Sequence, residues 1–324
     1  MSKINITLLA GGVGGAKAAL GLSLSEYAEG LKIIGNIGDD QAFHGLWISP
    51  DIDTLVYTLS GRINRQQGWG LQGDDQKVLK GLSDLGVDTW MQLGDMDFAT
   101  HIYRTERRRL GHRAQVIAQD IAKANGVEIP ILLPTNDVIQ TKLKSGKRWL
   151  NFQDYFVRLK CQPVIDEIEY IDSNKATSTP EAINALREAD MVVIAPSNPL
   201  LSIGAILSVE QIRAKLTKVT APVVAISPLI GGEAIKGPAV QLMQSLGHSA
   251  NVLGIAQYYQ GLIDVLVIDP VDAEFTAQIE ALGIQVQIQN IWMRDDEEKQ
   301  AVMSSVIKAC DNLPLQDKIL REAS

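Results

Sequence analysis

Three pairs of aspartates carry the clearest chemical potential: Asp39 and Asp40 in NIGDD, Asp51 and Asp53 in SPDIDT, Asp95 and Asp97 in LGDMD. Glycine or proline bounds each pair, so each is expected on a loop. Carboxylates without histidine or thiolate neighbours suit a hard cation such as magnesium, held jointly with substrate phosphates. Asp39, Asp40 and Asp51 are the candidate metal ligands. The competing role for any one aspartate is helix capping, and Asp51 or Asp53 would cap a helix over residues 55–59. Three pairs in one third of the chain favour at least one as a ligand to a metal or a hydroxyl.

The second signal is Gly11-Gly12-Val13-Gly14-Gly15-Ala16-Lys17, directly after the apolar run 4–10 and before an Ala/Leu-rich stretch. Strand, glycine loop and helix N-terminus together bind phosphate oxygens through backbone N–H groups and the helix dipole. Gly11, Gly12, Gly14 and Gly15 are the candidate phosphate contacts, and Lys17 is a candidate point charge. The Gly-Lys-Ser/Thr ending of a Walker A loop is missing. A dinucleotide fingerprint is also incomplete, because no acidic residue ends the second strand. The competing reading is a tight turn that packs strand against helix. Pro196-Ser197-Asn198-Pro199 and the 227–232 loop offer short polar groups at two further strand ends; the competing role is an Asx-type turn. His101 is a single polar contact at most, the arginines of 104–109 read as a solvated helix face, and Trp47, Trp69 and Trp90 read as core or as a stacking surface.

The elements that must position these groups follow from the hydrophobic pattern. Apolar runs 4–10, 31–36, 129–133, 191–195, 223–226 and 265–268 alternate with helical stretches at 180–189, 209–216, 238–246 and 296–311. Continuous apolar strands between helices predict an α/β, Rossmann-like fold: a mostly parallel sheet with helices on both faces. In such sheets ligands bind beyond the carboxyl ends of the strands, where the glycine loop, Asp39–Asp40, Ser197–Asn198 and the 227–232 loop all fall. Residues 61–128 differ in composition and read as a mainly helical insertion. The nucleotide-binding core is then 1–60 with 129–324. Within it, Ser145-Gly146 predicts a hairpin, and alternation over 164–171 predicts a half-buried strand.

Composition narrows the class. The chain has 324 residues, 46% hydrophobic and 21% charged, with a net charge of −8. That balance argues against nucleic acid or an anionic membrane as partner. No segment reaches the roughly 18 apolar residues of a membrane span, and the N-terminal apolar run is short for a signal peptide. Two cysteines and four scattered histidines fit neither a disulfide framework nor a zinc site. The expectation is a soluble cytoplasmic enzyme.

Ten segments then occur in order: LAGGVGGAK (9–17), NIGDD (36–40), SPDIDTLVYTLSG (49–61), GWG (68–70), LGDMDFATHIYRT (93–105), LLPTND (132–137), FQDYFV (152–157), APSNPLLSIGAIL (195–207), SPLIGG (227–232) and KGP (236–238). Together they resemble the 2-phospho-L-lactate transferase family of coenzyme F-420 biosynthesis, over about residues 6 to 270. The resemblance implies transfer of a phospho-acid group from a guanosine diphosphate conjugate of a small acid to the deazaflavin alcohol Fo. The acid is 2-phospho-L-lactate, enolpyruvyl phosphate or phosphoglycerate in different members, GMP leaves, and magnesium is required. It implies that Gly11, Gly12, Gly14, Gly15, Ser197, Asn198, Ser227 and Gly231 hold the nucleotide. Asp53, Asp95, His101 and Arg104 then face the acceptor, and Asp51, Asp53 and Lys17 serve the reaction, in a homodimer. One departure is visible: the family pattern has arginine between the aspartates of LGDMD, where this chain has Met96. Arg104, Arg62 and Lys17 are the candidate replacements. Two other readings are weighed. The gluconeogenesis-factor (YvcK-like) family shares the glycine loop and binds UDP-sugars as regulators. An NAD-dependent dehydrogenase is suggested by the first strand, loop and helix only.

Overall fold

The computed structural model describes residues 3–234 and 237–311. Lys236 of the KGP segment lies outside them. Seven strands form one parallel sheet, in the order Gln285–Ile288, Val265–Ile268, Val223–Ile226, Met191–Ile194, Ile6–Ala10, Leu31–Gly35 and Ile131–Leu132. Ile6 stands opposite Leu31 on one side and Met191 on the other. All residues of the two strands beside the first-strand axis, Ile6–Ala10 and Met191–Ile194, are buried. Helices cover both faces, which is why these strands read as unbroken apolar runs rather than alternating ones. The Rossmann-like expectation holds.

The strand order reverses at Ile6–Ala10: Leu31–Gly35 follows on one side and Met191–Ile194 on the other. That is the topological switch point where open α/β sheets leave a crevice. Helix α1 (Gly12–Ser23) starts there, and α2 (Pro50–Leu59) packs beside it. The C-terminal helix Asp296–Asp311 packs on the far side of α1.

Between α2 and the strand Ile131–Leu132 lie α3 (Lys77–Asp84), α4 (Asp95–Arg109) and α5 (Ala114–Ala124). This is the stretch read as helical from composition. It has a small apolar cluster of its own, Leu79, Leu93 and Phe98, joined by Phe43 and Leu46 of the hairpin Gln41–Phe43/Leu46–Ile48. A three-stranded antiparallel sheet, Arg148–Asn151, Gln140–Ser145 and Glu167–Ile171, stands outside the main sheet. The hairpin around Ser145-Gly146 is its first turn. Among the described residues no helix is long and apolar enough to cross a membrane.

Candidate functional site

The glycine run is mostly helix, not loop. Gly11 is the N-cap and α1 begins at Gly12, whose φ of +61° makes the turn. That left-handed backbone favours glycine. Gly14 and Gly15 lie in the first turn of α1 and are small for a packing reason. A Cβ on Gly14 would overlap the Pro196 carbonyl oxygen, and one on Gly15 would sit 2.9 Å from Ser197 Oγ. The Ser197 hydroxyl lies between the Gly11 N–H and carbonyl, accepting at 3.2 Å and donating at 2.8 Å. The glycines therefore bring the Pro196–Ser197 strand end against the start of α1.

Helix α2 starts earlier than the expected 55–59, with Ser49 at its N-cap and Pro50 in the first turn. Asp51 and Asp53 are thus inside the helix and cap nothing. Two residues apart on a helix means about 200° of rotation, so the two carboxylates face opposite ways. Asp51 turns to α1. Its Oδ2 accepts from Asn36 Nδ2 at 2.9 Å and its carboxylate accepts from the Gly12 N–H. A Cβ on Gly11 would lie 2.7 Å from that same oxygen. Asp39 joins Asp51: both touch the Asn36 amide, and Asn36 Oδ1 accepts the Gly38 N–H at 2.8 Å. Burial first, and for Asp39 the neighbouring Asp51 charge, push both carboxyls above the usual carboxylate range. Asp39 Oδ1 is buried and has no partner.

Asp53 turns to α4. Arg104 grips it with both guanidinium nitrogens, one of them at 3.1 Å. Asp97, His101 and Arg104 share one face of α4 by their i, i+4, i+7 spacing. Opposite them Asp53 and Tyr57 share one face of α2. Arg104–Asp53 is one rung between the helices, and Tyr57 donating to Asp97 Oδ1 at 2.9 Å is the other. Asp97 Oδ2 also accepts the Gly94 N–H at the start of α4. Arg104 is 4% exposed and His101 3%. Burial holds His101 down to about 4, so its ring is neutral at pH 7, and it lies 3.1 Å from an Arg104 nitrogen. Burial pushes Asp97 up to about 6 and Asp40 up to about 7. Asp40 leaves its neighbour Asp39 in the same manner: its Oδ2 accepts from Ser49 Oγ at 2.6 Å and Trp47 Nε1 at 3.3 Å, on the Arg104 side.

All three acid pairs therefore split. Asp39 and Asp51 face the switch-point crevice, while Asp40, Asp53 and Asp97 face the helical insertion. Asp95 does neither; its Oδ1 accepts the Val78 N–H at 3.0 Å and ties α4 to α3. Among the described residues no three His, Cys, Asp or Glu side chains are grouped to hold a metal ion. Asp39, Asp40 and Asp51 do not make a complete centre by themselves.

The other expected contacts are placed as follows. Lys17 sits in the second turn of α1, and its charge acts on Glu298 of the C-terminal helix. Asn198 Oδ1 accepts from the Leu200 and Leu201 N–H groups at 2.9 and 3.0 Å, the Asx-type role, while its Nδ2 is buried without a partner. Ser227 Oγ donates to the Leu229 carbonyl and accepts its N–H, closing its own turn. The Gly231 N–H donates to Asp272 Oδ2 at 3.0 Å. The arginine run is not a uniformly solvated face: Arg104 is buried and Arg108 lies 4.4 Å over the Trp47 ring. Of the three cations considered in place of an arginine at 96, Arg104 is taken by Asp53 and Lys17 faces Glu298. Arg62 lines a cavity of about 240 Å³ together with Met96, Leu71, Gln72 and Asp74.

Gln140 and Thr141 carry no advance signal, and Gln153 is marked only as part of the FQDYFV segment. Thr141, from the antiparallel sheet, donates its backbone N–H to the Gly38 carbonyl at 2.7 Å, and its Oγ1 is buried without a partner. Gln140 Nε2 and Gln153 Nε2 donate to the Asp40 and Asp39 carbonyls. Only the fold brings them to the 38–40 loop. Asn36 did have a signal: it directly follows the second strand, where dinucleotide enzymes carry an acid.

Comparison with known proteins gives the family and supports the fold. The family described as 2-phospho-L-lactate transferase CofD matches residues 6–310. A phosphoenolpyruvate transferase of Streptomyces griseus is 32% identical over 316 residues, 96% of this chain and 99% of the relative. A 2-phospho-L-lactate transferase of Methanocaldococcus jannaschii is 34% identical over 312 residues, 95% and 99% of the two chains. A crystal structure of a Bacillus halodurans protein superposes with a TM-score of 0.63 at 16% identity, covering 94% of this chain and all of that one. At that identity the likeness concerns the fold alone.

Proposed function

The chain belongs to the 2-phospho-L-lactate transferase family, and from that premise we propose that it transfers a phospho-acid group from a guanosine diphosphate conjugate to the hydroxyl of Fo. The acid is 2-phospho-L-lactate, enolpyruvyl phosphate or phosphoglycerate. GMP is the leaving group, and the product belongs to coenzyme F-420 biosynthesis. The observation that carries the reading is the Asp39–Asp51 pair buried against the first turn of α1, with Asp39 Oδ1 unpartnered.

Two buried carboxylates that repel each other, one with a bare oxygen, fit a divalent cation completed by phosphate oxygens of the donor. Asp39 and Asp51 would hold magnesium, which when bound supplies charge neutralisation at the diphosphate. The chain itself does the rest by positioning, the chief demand of a phosphoryl-type transfer. Asn36 fixes both carboxylates through one amide. Ser197 and the glycines fix the start of α1, whose dipole favours an anion there. Asn198 Nδ2 and Thr141 Oγ1 are buried groups left for a ligand to satisfy. Asp53 is not the proton acceptor in this reading, because Arg104 occupies its carboxylate. Arg62 beside Met96 takes the place of the family arginine toward the acceptor.

Incubation with Fo, magnesium and each of the three guanosine conjugates, with mass detection of the deazaflavin product, tests the reading. A product with one conjugate identifies the acid. No product with any of them, together with tight UDP-sugar binding and no GDP binding, overturns it.

A further inference from the structure

We infer that Arg104 is a positioning residue for the crevice: its guanidinium, gripped by Asp53 and facing Asp40, braces from behind the two segments that carry Asp51 and Asp39. The inference rests on the transferase reading, its kinetic arm on transfer to Fo and its calorimetric arm on magnesium and GDP binding at the crevice.

The geometry is specific. Asp53 lies two residues beyond Asp51 on α2, and Asp40 directly follows Asp39 on the 38–40 loop. In each segment one aspartate faces the crevice and its neighbour faces Arg104. Arg104 bonds Asp53 directly, and its charge acts on Asp40. Ser49 links the two segments again, since it is the N-cap of α2 and donates to Asp40 Oδ2 at 2.6 Å. Thr105, next to Arg104, accepts the Trp47 N–H at 2.7 Å, and Trp47 Nε1 reaches Asp40. Helix α4 of the insertion is thereby fastened to both carboxylate segments within one turn of its length.

Arginine suits this place and lysine does not. A planar fork meets both oxygens of one carboxylate and still directs charge at a second, whereas an ammonium is a point charge on a flexible stem. The pair is also fully desolvated, so removing one partner leaves the other charge buried and uncompensated. His101 does not compete for Asp53, because its ring is neutral and stands 3.8 Å from the carboxylate. Arg104 has no spare exposure with which to contact an acceptor directly: it is 4% exposed.

The test compares wild type with R104K and D53N, each checked for folding by thermal unfolding and circular dichroism. S49A is the third variant; it loosens the Asp40 anchor while leaving the Arg104–Asp53 ion pair intact. Two readouts are taken: the magnesium concentration that half-saturates GDP binding, by calorimetry, and kcat against acceptor KM. A positioning role predicts roughly tenfold more magnesium for half-saturation and a kcat at least tenfold lower, with the acceptor KM unchanged. S49A shifts in the same direction by a smaller factor. Wild-type magnesium dependence in folded R104K overturns the inference. So does a raised acceptor KM with normal kcat, which marks a direct acceptor contact. If R104K and D53N fail to fold, unshifted magnesium dependence in S49A overturns it. If the wild-type chain binds GDP with magnesium but transfers nothing to Fo, the transfer reading fails while the calorimetric arm still decides the role of Arg104; if it binds no GDP, both readings fall.

Discussion

The crevice face and the insertion face of the α1–α2–α4 region use the same residue types to opposite ends. On the insertion face the ion pair is closed, Arg104 on Asp53, and Asp97 is held by Tyr57 and the Gly94 N–H; one Asp40 oxygen is held by Ser49 and Trp47, while Asp40 Oδ1 and His101 Nε2 are buried without a partner among the described residues. On the crevice face Asp39 Oδ1, Thr141 Oγ1 and Asn198 Nδ2 are buried and unanswered. Leaving a buried polar group unpaired costs about 1–3 kcal/mol, so a ligand in the crevice would gain by completing these three. In the proposed reading the face where Arg104 neutralises Asp53 is scaffold, and the face of Asp39 and Asp51 is the site. Two of the three aspartate pairs, Asp39/Asp40 and Asp51/Asp53, contribute one member to each face; Asp95 and Asp97 contribute none to the crevice.

The sharpest way to break that division is to remove one member of each kind. D51A should lower turnover by about 10²-fold or more, the scale of losing a positioned acid–base or charge-neutralising group, with the fold retained by circular dichroism. Near-normal turnover would move Asp51 to the scaffold. G14A tests whether the first turn of α1 is built by contact with the 196–197 strand end. Its Cβ overlaps the Pro196 carbonyl, and overpacking of this kind costs roughly 2 kcal/mol. Urea unfolding should show the loss, together with weaker GDP binding; an unchanged midpoint would show the strand end to be free to shift.

On the insertion face, D97N should act through pH rather than chemistry. Asp97 is raised to about 6 from an ordinary 3.8. The folded state therefore holds the proton through a range where the unfolded state has lost it. The stability this contributes is full below about 4 and is lost as pH rises through about 6. Its slope is at most about 1.4 kcal/mol per pH unit for one proton. His101, lowered to about 4, acts in the opposite direction over pH 4 to 6.5, so the informative quantity is the difference between D97N and wild type. Chemical unfolding at successive pH values should show D97N gaining on wild type from pH 4 to 6; a constant gap would place the titration elsewhere. The smallest effect is expected for R62A, a severalfold rise in acceptor KM with kcat retained, about 1 kcal/mol for one lost polar contact. An unchanged KM would separate the cavity beside Met96 from the acceptor.

Much of this was legible from residues alone. Unbroken apolar strands between helices identify the parallel sheet, and the positions of Gly11–Gly15, Asp39 and Ser197–Asn198 at strand ends identify the crevice. The helical character of 61–128 and the hairpin at Ser145-Gly146 follow from local composition and turn chemistry. The spacing of Asp97, His101 and Arg104 on one helix face was also present in LGDMDFATHIYRT, but a basic run after it masked the pattern. The start of α2 was set too late because Asp51 and Asp53 were placed on a loop; once Pro50 opens the helix, their opposed directions follow from 100° per residue.

The sequence by itself thus determined the sheet's strands, their loop-bearing ends, the family and the acidic segments, because each is written in a short window of the chain; the strand order and its reversal at Ile6–Ala10 came from the tertiary structure. Tertiary structure alone decided which way each aspartate faces, Asp39 and Asp51 to the crevice and Asp40 and Asp53 to the insertion, and that Gln140, Thr141 and Gln153 reach the 38–40 loop. The reason is physical. A carboxylate's role is set by what lies across from it: Asn36 is 15 residues from Asp51, Tyr57 is 40 from Asp97 and Arg104 is 51 from Asp53 along the chain.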